Sequence, residues 1–538
     1  MKITFIAISI IACAVVACLS YYISASFLWA LLVIVPIIMV GIVDMVQKKQ
    51  SIRRNFPVVG HGRYAAEWLR PKMFQYFIES DTDGRPISRI FRNIVYQRSK
   101  NVRDTTPFGT QLNVYAEGYE WMNHSIGAKD HHDINPDPRI QVGGPGCRQP
   151  YSCSLFNVAA MSFGSLSKNA VMALNGGAAI GGFAHNTGEG GVSPYHTKYG
   201  GDLIYQIGTG YFGCRANDGG FDPHAFRELT KDPRIKMIEL KLSQGAKPGH
   251  GGILPAGKVT KEIADIRGIE MGRDILSPPY HKAFSDPLGL LHLIKRMRDL
   301  SEGKPIGFKL CVGHKSEFLA ICKAMVHSGV TPDFITVDGG EGGTGAAPLE
   351  FSNSVGMPYK EGLSFVYDAL IGFDLKKDIK IIASGKIITG FHIMRALALG
   401  ADICYSARAM MMAVGCIQAL ECNKNTCPVG VATQDPSLVN GLDVNDKRVR
   451  VANYHKETIE SFIELLAAAG LDDPDKINRS HVHKRIIMNT NQRYDEIYPY
   501  IPKGSLLDAY LIPESWRGDM SNADMNSFLP AFEQVYTE

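Results

Sequence analysis

Three cysteines fall within twelve residues, Cys416, Cys422 and Cys427, the last followed by Pro428. Spacing of this kind suits thiolate ligation of iron–sulfur. Three thiolates rather than four point to a three-iron cluster, or to a four-iron cluster whose last ligand is not cysteine. Zinc is the alternative, but closed zinc sites want four ligands, usually in short cysteine pairs, and this loop holds no fourth Cys or His. Plain buried cysteines are a third reading. A second group is cationic. Lys241 stands near the end of an apolar run, Met237 to Leu242, and Lys247 follows within Gln244-Gly245-Ala246-Lys247-Pro248-Gly249. In a central strand Lys241 points inward, and a buried lysine needs an anionic or electron-rich partner. A flavin ring is one, because a cation near N1 and O2 favours the reduced form. Lys247, farther along the loop, is placed for a substrate carboxylate.

Two further runs end in Ser384-Gly385-Lys386 and Ser406-Ala407-Arg408. Small residues expose backbone N–H groups, and one cation on each loop completes the make-up of a phosphate site. Met161-Ser162-Phe163-Gly164-Ser165, after an earlier run, can offer backbone to a flat ring.

These pieces need a scaffold that gathers strand ends. From about Leu155 to Gly430, short apolar runs alternate with helical stretches: Phe156 to Met161, Gly182 to His185, Leu203 to Ile207, Met237 to Leu242, Ile306 to Leu310, Phe334 to Val337, Ile379 to Ala383 and Ile403 to Tyr405. Eight βα units in an α/β chain match a (β/α)8 TIM barrel, whose chemistry sits at the strand C-termini. A doubly wound open sheet is the alternative, but no G-x-G-x-x-G follows an early strand, which argues against a nicotinamide site of the usual kind.

The expected organisation is a transmembrane hairpin over 1–46, an N-terminal cap region over 47–150, the barrel with its cysteine loop over 151–440 and a C-terminal helical extension over 441–538. The cap region shows helical periodicity from Ala65 to Glu79, and the extension carries an amphipathic helix from Thr458 to Ala469. Ile3 to Val43 holds no charged residue over 41 positions, about twice the ~20 residues that cross a bilayer once. Two spans with a turn at Tyr21 to Ser26 fit it. Lys2 precedes them and Lys48, Lys49, Arg53 and Arg54 follow, so the positive-inside rule places both ends, and the catalytic domain, in the cytoplasm. A cleaved signal peptide, with Val15-Val16-Ala17-Cys18 near its end, is the competing reading.

Composition closes off other classes. The 538 residues carry 57 Lys plus Arg against 53 Asp plus Glu, a net of +4, so no global basic field argues for nucleic acid. Eleven cysteines, an odd number, make no disulfide framework; Cys214, Cys311, Cys322 and Cys404 read as small core residues.

Together the motifs resemble the synthase half of glutamate synthase. Met161-Ser162-Phe163-Gly164, Gly188-Glu189-Gly190-Gly191, Gln244 to Gly249, Gly342-Gly343-Thr344-Gly345-Ala346 and Cys416 to Thr433 are similar to that family's segments in the same order, from about Asn55 to Asp475. The resemblance implies an FMN barrel with a [3Fe-4S] cluster on the three cysteines, and 2-iminoglutarate as acceptor. It implies that Lys241 and Lys309 face the isoalloxazine with Gln206 at its edge, and that Gln244, Lys247 and Glu189 belong to the 2-oxoglutarate side. Glu189 would position the amine or relay a proton. Two departures stand out. The family's full-length enzymes begin with a glutaminase domain, whereas this chain begins with an apolar hairpin, so ammonia is expected free or from a separate glutaminase. Asp338-Gly339-Gly340-Glu341 stands where the family usually has a histidine and an aspartate.

The expectation is therefore a membrane-tethered oxidoreductase forming L-glutamate from 2-oxoglutarate and ammonia, fed by an electron-donor protein such as a ferredoxin or an NAD(P)H-oxidising subunit. An amino-acid or N-alkyl-glutamate dehydrogenase on the same scaffold, and a flavin-binding membrane redox sensor without turnover, are the alternatives.

Overall fold

A computed structural model of the chain describes residues 1–102 and 105–529. It divides into two compact units, Met1–Ile90 and Phe91–Glu538.

The first unit opens with helix α1, Lys2–Tyr22, then a 3-10 turn, Ala25–Ala30, and helix α2, Leu31–Val46. The stretches Lys2–Tyr22 and Ala25–Val46 have mean hydropathies of 2.6 and 2.7, long and apolar enough to cross a membrane; a signal sequence passes the same test. The two helices touch where Gly41 meets the Phe5 ring, which leaves no room for a Cβ at that position. At the end of α2 the buried Asp44 carboxylate accepts hydrogen bonds from Arg53 Nε at 2.8 Å and Val58 N at 2.9 Å, with His61 Nε2 at 2.9 Å. This knot turns the chain into helix α3, His61–Met73, which a π turn, Phe74–Ile78, prolongs. The helix read from Ala65 thus begins four residues earlier.

In the second unit eight parallel strands close a barrel in sequence order: β1 Phe156–Val158, β2 His185–Asn186, β3 Leu203–Ile207, β4 Ile235–Lys241, β5 Ile306–Leu310, β6 Phe334–Asp338, β7 Lys380–Ser384 and β8 Ile403–Ser406. Pairing of β8 with β1 completes it and rules out the open sheet. Buried β-branched and aliphatic residues dominate the strands, as expected where both faces are covered. Two strands are shorter than their apolar runs. Gly182 belongs to the end of helix α4, Lys168–Gly181: its φ of 66° and its N–H to Ala178 O make it a left-handed cap, so β2 starts at His185. β1 ends at Val158, although Ala159 N still reaches Ser406 O at 2.9 Å, and the chain beyond turns into the loop that carries Met161 and Ser162.

Helix α5, Val444–Ala468, is longer than the amphipathic segment from Thr458, because Asp443 caps it through Asp446 N at 2.8 Å. It packs on α4 at closest range where Gly177 faces Val451; a Cβ there would lie 2.5 Å from Val451 Cγ1.

Candidate active site

The strands deliver their polar residues to one end of the barrel. Lys241 and Lys309 close β4 and β5 and pair in register, so two cations stand side by side at the mouth. Each has a carboxylate. Glu189 Oε1 lies 3.0 Å from Lys241 Nζ, and Asp338 Oδ2, at the end of β6, lies 3.0 Å from Lys309 Nζ and accepts Gly245 N at 3.1 Å.

Glu189 comes from the glycine loop after β2, and the loop needs its glycines. Gly188 has φ 65°, and a Cβ there would sit 2.6 Å from Ser162 N. The loop therefore lies directly on Met161 and Ser162, both nearly buried. Burial alone would raise the Glu189 carboxyl, but Lys241, then Lys247 and Arg267, hold it below the usual carboxylate range. It is an ionised group at neutral pH.

A small cleft, open to solvent, is lined by Glu189, Thr209, Lys241, Gln244 and His250. Lys247 does not line it: only 3% exposed, it donates to Ala346 O at 3.1 Å. Burial pushes its ammonium down to about 8, with Glu189 opposing the shift and Lys241 adding to it. The arrangement is one carboxylate and one lysine lining a small polar space, with a second, buried lysine close enough to act on the carboxylate, a make-up suited to an anionic substrate with an amine nearby.

Gln206 is turned inward, where Nε2 donates to Glu239 Oε1 at 2.6 Å. On the far side of the mouth, Ser384-Gly385-Lys386 and Ser406-Ala407-Arg408 follow adjacent strands, with Ser384 paired to Tyr405. Gly385 lies against Tyr359, a Cβ there falling 2.9 Å from its ring, and Lys386 has φ 53°. Ser406 Oγ donates to Ile387 O at 2.6 Å, and Arg408 Nη2 donates to Glu341 O at 2.7 Å.

The cysteine loop folds against the first strand's loop. Gln434 Nε2 donates to Gly164 O and Leu166 O at 3.0 and 2.9 Å, and Asn425 Nδ2 to Gly257 O at 3.0 Å. Its backbone is forced: Gln418, Leu420 and Asn425 have φ of 58°, 58° and 61°, unusual for residues with a Cβ and typical of sites that bind. Burial raises the Cys416 thiol to about 12, with Cys422 and Cys427 adding to it, so the three sulfurs share one neighbourhood. Elsewhere among the described residues, Asp130, His131 and His132 bring three potential ligand atoms within 4.8 Å of one another.

Residues 123–472 match the family described as a conserved region in glutamate synthase. This chain belongs to the glutamate synthase family. It is 39% identical over 492 residues to the glutamate synthase large subunit-like protein YerD of Bacillus subtilis (strain 168), covering 84% of this chain and 93% of that one. It is 36% identical over 322 residues to an archaeal glutamate synthase (NADPH) of Methanocaldococcus jannaschii, 60% of each chain, and 30% identical over 398 residues to the glutamate synthase (NADPH) large chain of B. subtilis, of which it covers 24%. As a member of the glutamate synthase family it is an oxidoreductase.

Three residues at this synthase-type site escaped sequence reasoning. Arg267 is buried, donates from Nη2 to Phe163 O at 2.9 Å, and has no partner for Nε. His281 holds the end of β4, with Nε2 2.8 Å from Lys241 O. Lys258, 2% exposed, donates to Ser165 O at 3.0 Å beside the cysteines. None sits in a motif with chemical spacing. Other polar and charged residues stand near them in sequence, so nothing local marked them out.

Proposed function

We propose that this chain is a membrane-tethered, FMN- and iron–sulfur-dependent oxidoreductase that forms L-glutamate from 2-oxoglutarate and ammonia by way of 2-iminoglutarate, with residues 151–440 as its catalytic barrel. The observation that carries the reading is the Glu189–Lys241 pair beside Lys247 and Gln244 at the strand ends of a glutamate synthase family barrel.

The donor set fits both cofactors. Small residues after β7 and β8, with Lys386 and Arg408, suit a phosphate; Lys241 and Lys309 suit the polar edge of the ring, with the backbone of Met161 and Ser162 against its face, while Gln206 gives its amide to Glu239. Cys416, Cys422 and Cys427, in a strained loop beside Lys258, suit three thiolates of a [3Fe-4S] cluster. When bound, the flavin supplies a hydride to the imine carbon and the cluster supplies single electrons.

The protein's own share is orientation and charge. Lys247 and Gln244 hold the two ends of the dicarboxylate, fixing the carbon to be reduced. Ionised Glu189 accepts a hydrogen bond from the incoming amine and takes a proton from it as water leaves. Lys241 keeps that carboxylate ionised. Each glutamate consumes two electrons and two protons and releases one water. The electrons come from a separate donor, a ferredoxin or an NAD(P)H-oxidising subunit, and ammonia arrives free or from a separate glutaminase. The two apolar N-terminal helices anchor the chain with its catalytic part on the cytoplasmic side.

The test is purification in detergent, a visible spectrum, and glutamate formation from 2-oxoglutarate, ammonium and a chemical reductant. Flavin absorbance with reductant-dependent glutamate is the expected result. A colourless, properly folded protein overturns the reading.

A further inference from the structure

Helix α3 and the π turn after it bury none of their residues. Trp68 is 67% exposed, Phe74 52%, Tyr76 55%, Phe77 77% and Ile78 66%. Water-facing surfaces seldom leave so many large apolar side chains uncovered in one run. On α3, Ala65, Ala66, Trp68, Leu69 and Met73 share one half of the helix at the helical period, while Arg63, Glu67 and Arg70 take the other. Lys72 falls within the apolar half, between Trp68 and Ala65, and its ammonium lies 3.6 Å over the Trp68 ring, the posture of a lysine whose stem follows an apolar surface while its charge reaches outward.

Charge and position say what covers this face. Residues 47–78 hold seven lysines and arginines against one acid, Glu67. The segment also starts where α2 ends, because Asp44 binds His61, the first residue of α3. An amphipathic, basic helix with exposed aromatics, tied to the end of an apolar helix, has the make-up of an element that lies in a bilayer interface.

We infer that residues 61–78 lie in the headgroup layer of an anionic bilayer, apolar half inward, as a peripheral contact distinct from the two apolar helices. The inference rests on the membrane reading of α1 and α2 only for where that bilayer is.

A chain lacking residues 1–40 removes most of both apolar helices and keeps the Asp44 knot. It should sediment with vesicles of phosphatidylcholine containing one-third phosphatidylglycerol, about tenfold less with phosphatidylcholine alone, and be released at about 0.5 M salt. Trp68→Ser with Phe77→Ser should cut binding about tenfold, and Arg70→Glu with Lys72→Glu should abolish its salt dependence, both without moving the melting temperature. In the full chain, reconstituted in the same lipids, brominated acyl chains should quench Trp68, read as the difference between parent and Trp68→Phe. The inference is overturned if the shortened chain ignores anionic vesicles, binds both kinds equally, or self-associates through this face instead. It is equally overturned if the serine variant binds like the parent, or if Trp68→Phe leaves the quenching unchanged. A full-length chain stripped from membranes by alkali counts against the spans alone, so the two readings fail separately.

Discussion

Lys247→Met is the sharpest perturbation of the proposed substrate site. The ammonium is buried, and burial brings it down to about 8, so in the free protein it loses its proton as pH rises through that value. Binding of 2-oxoglutarate should therefore be flat below about pH 8 and weaken about tenfold per pH unit above it. Glu189, Arg267 and His281 do not titrate there. Glu189 is ionised throughout, burial brings Arg267 down only to about 10, and burial takes His281 down to about 4. Lys258 shares the window, its ammonium also near 8 through burial, but it faces Cys422 and Cys427. Methionine keeps the length and removes the charge. A charge-assisted hydrogen bond to a carboxylate is worth about 1.5–3 kcal/mol, or about ten- to a hundredfold in Kd. Titration calorimetry of the oxidised protein with 2-oxoglutarate, from about pH 6.5 to about pH 9.5, reads both effects. The variant should bind weakly and without the alkaline decline. It should also melt no lower than the parent at neutral pH: a lysine whose folded value lies below its unfolded one costs stability while charged, and that cost fades only as pH rises above about 8. Tight binding by the variant, or the same decline with pH, would refute the assignment.

Lys241→Met should lower the flavin midpoint potential by tens of millivolts and destabilise the fold, since Glu189 loses its direct partner; Glu189→Gln in the same chain should recover the melting temperature but not the potential. Redox titration and melting curves separate the two. Cys422→Ser should strip iron and acid-labile sulfide while flavin content holds, because the residues proposed to hold flavin lie elsewhere; unchanged iron would discard the ligand set. Removing residues 1–40 should leave the visible spectrum intact, as every barrel strand lies beyond Leu155; a folded but colourless product would show that the two functions are not separable.

Strand number, order and the carrier loops were readable because each depends on residues close in sequence. β3 and β5 coincide with their apolar runs to the residue, since a buried parallel strand is a short unbroken run with a turn at each end. β2 was misplaced because Gly182 and Phe183 are as apolar as a strand, while the left-handed cap that removes Gly182 from it is set by the helix before. The site was legible as a list of residues rather than as pairs. Sequence reasoning gave buried Lys241 a cofactor ring as its anion; the chain itself supplies Glu189, from a loop two strands away. Asp338, noted as a departure from the family's pattern, turned out to be the partner of Lys309. Such pairings join residues tens of positions apart, and no local period or spacing encodes them.

The carboxylate of Glu239, at the heart of the barrel, is wholly enclosed, and its oxygens accept from Asn186 Nδ2 at 2.8 Å, Gln206 Nε2 at 2.6 Å and Thr336 Oγ1 at 2.5 Å. Those donors sit on β2, β3 and β6, while Glu239 itself is on β4. No half-barrel contains all four strands. An assembly stopped after the first four would leave one oxygen without its Thr336 donor. A strand slipped by one residue would turn its donor to the outer face. The same carboxylate therefore acts as a check on register, since both of its oxygens are bonded only when early and late segments of the chain have met in their proper alignment.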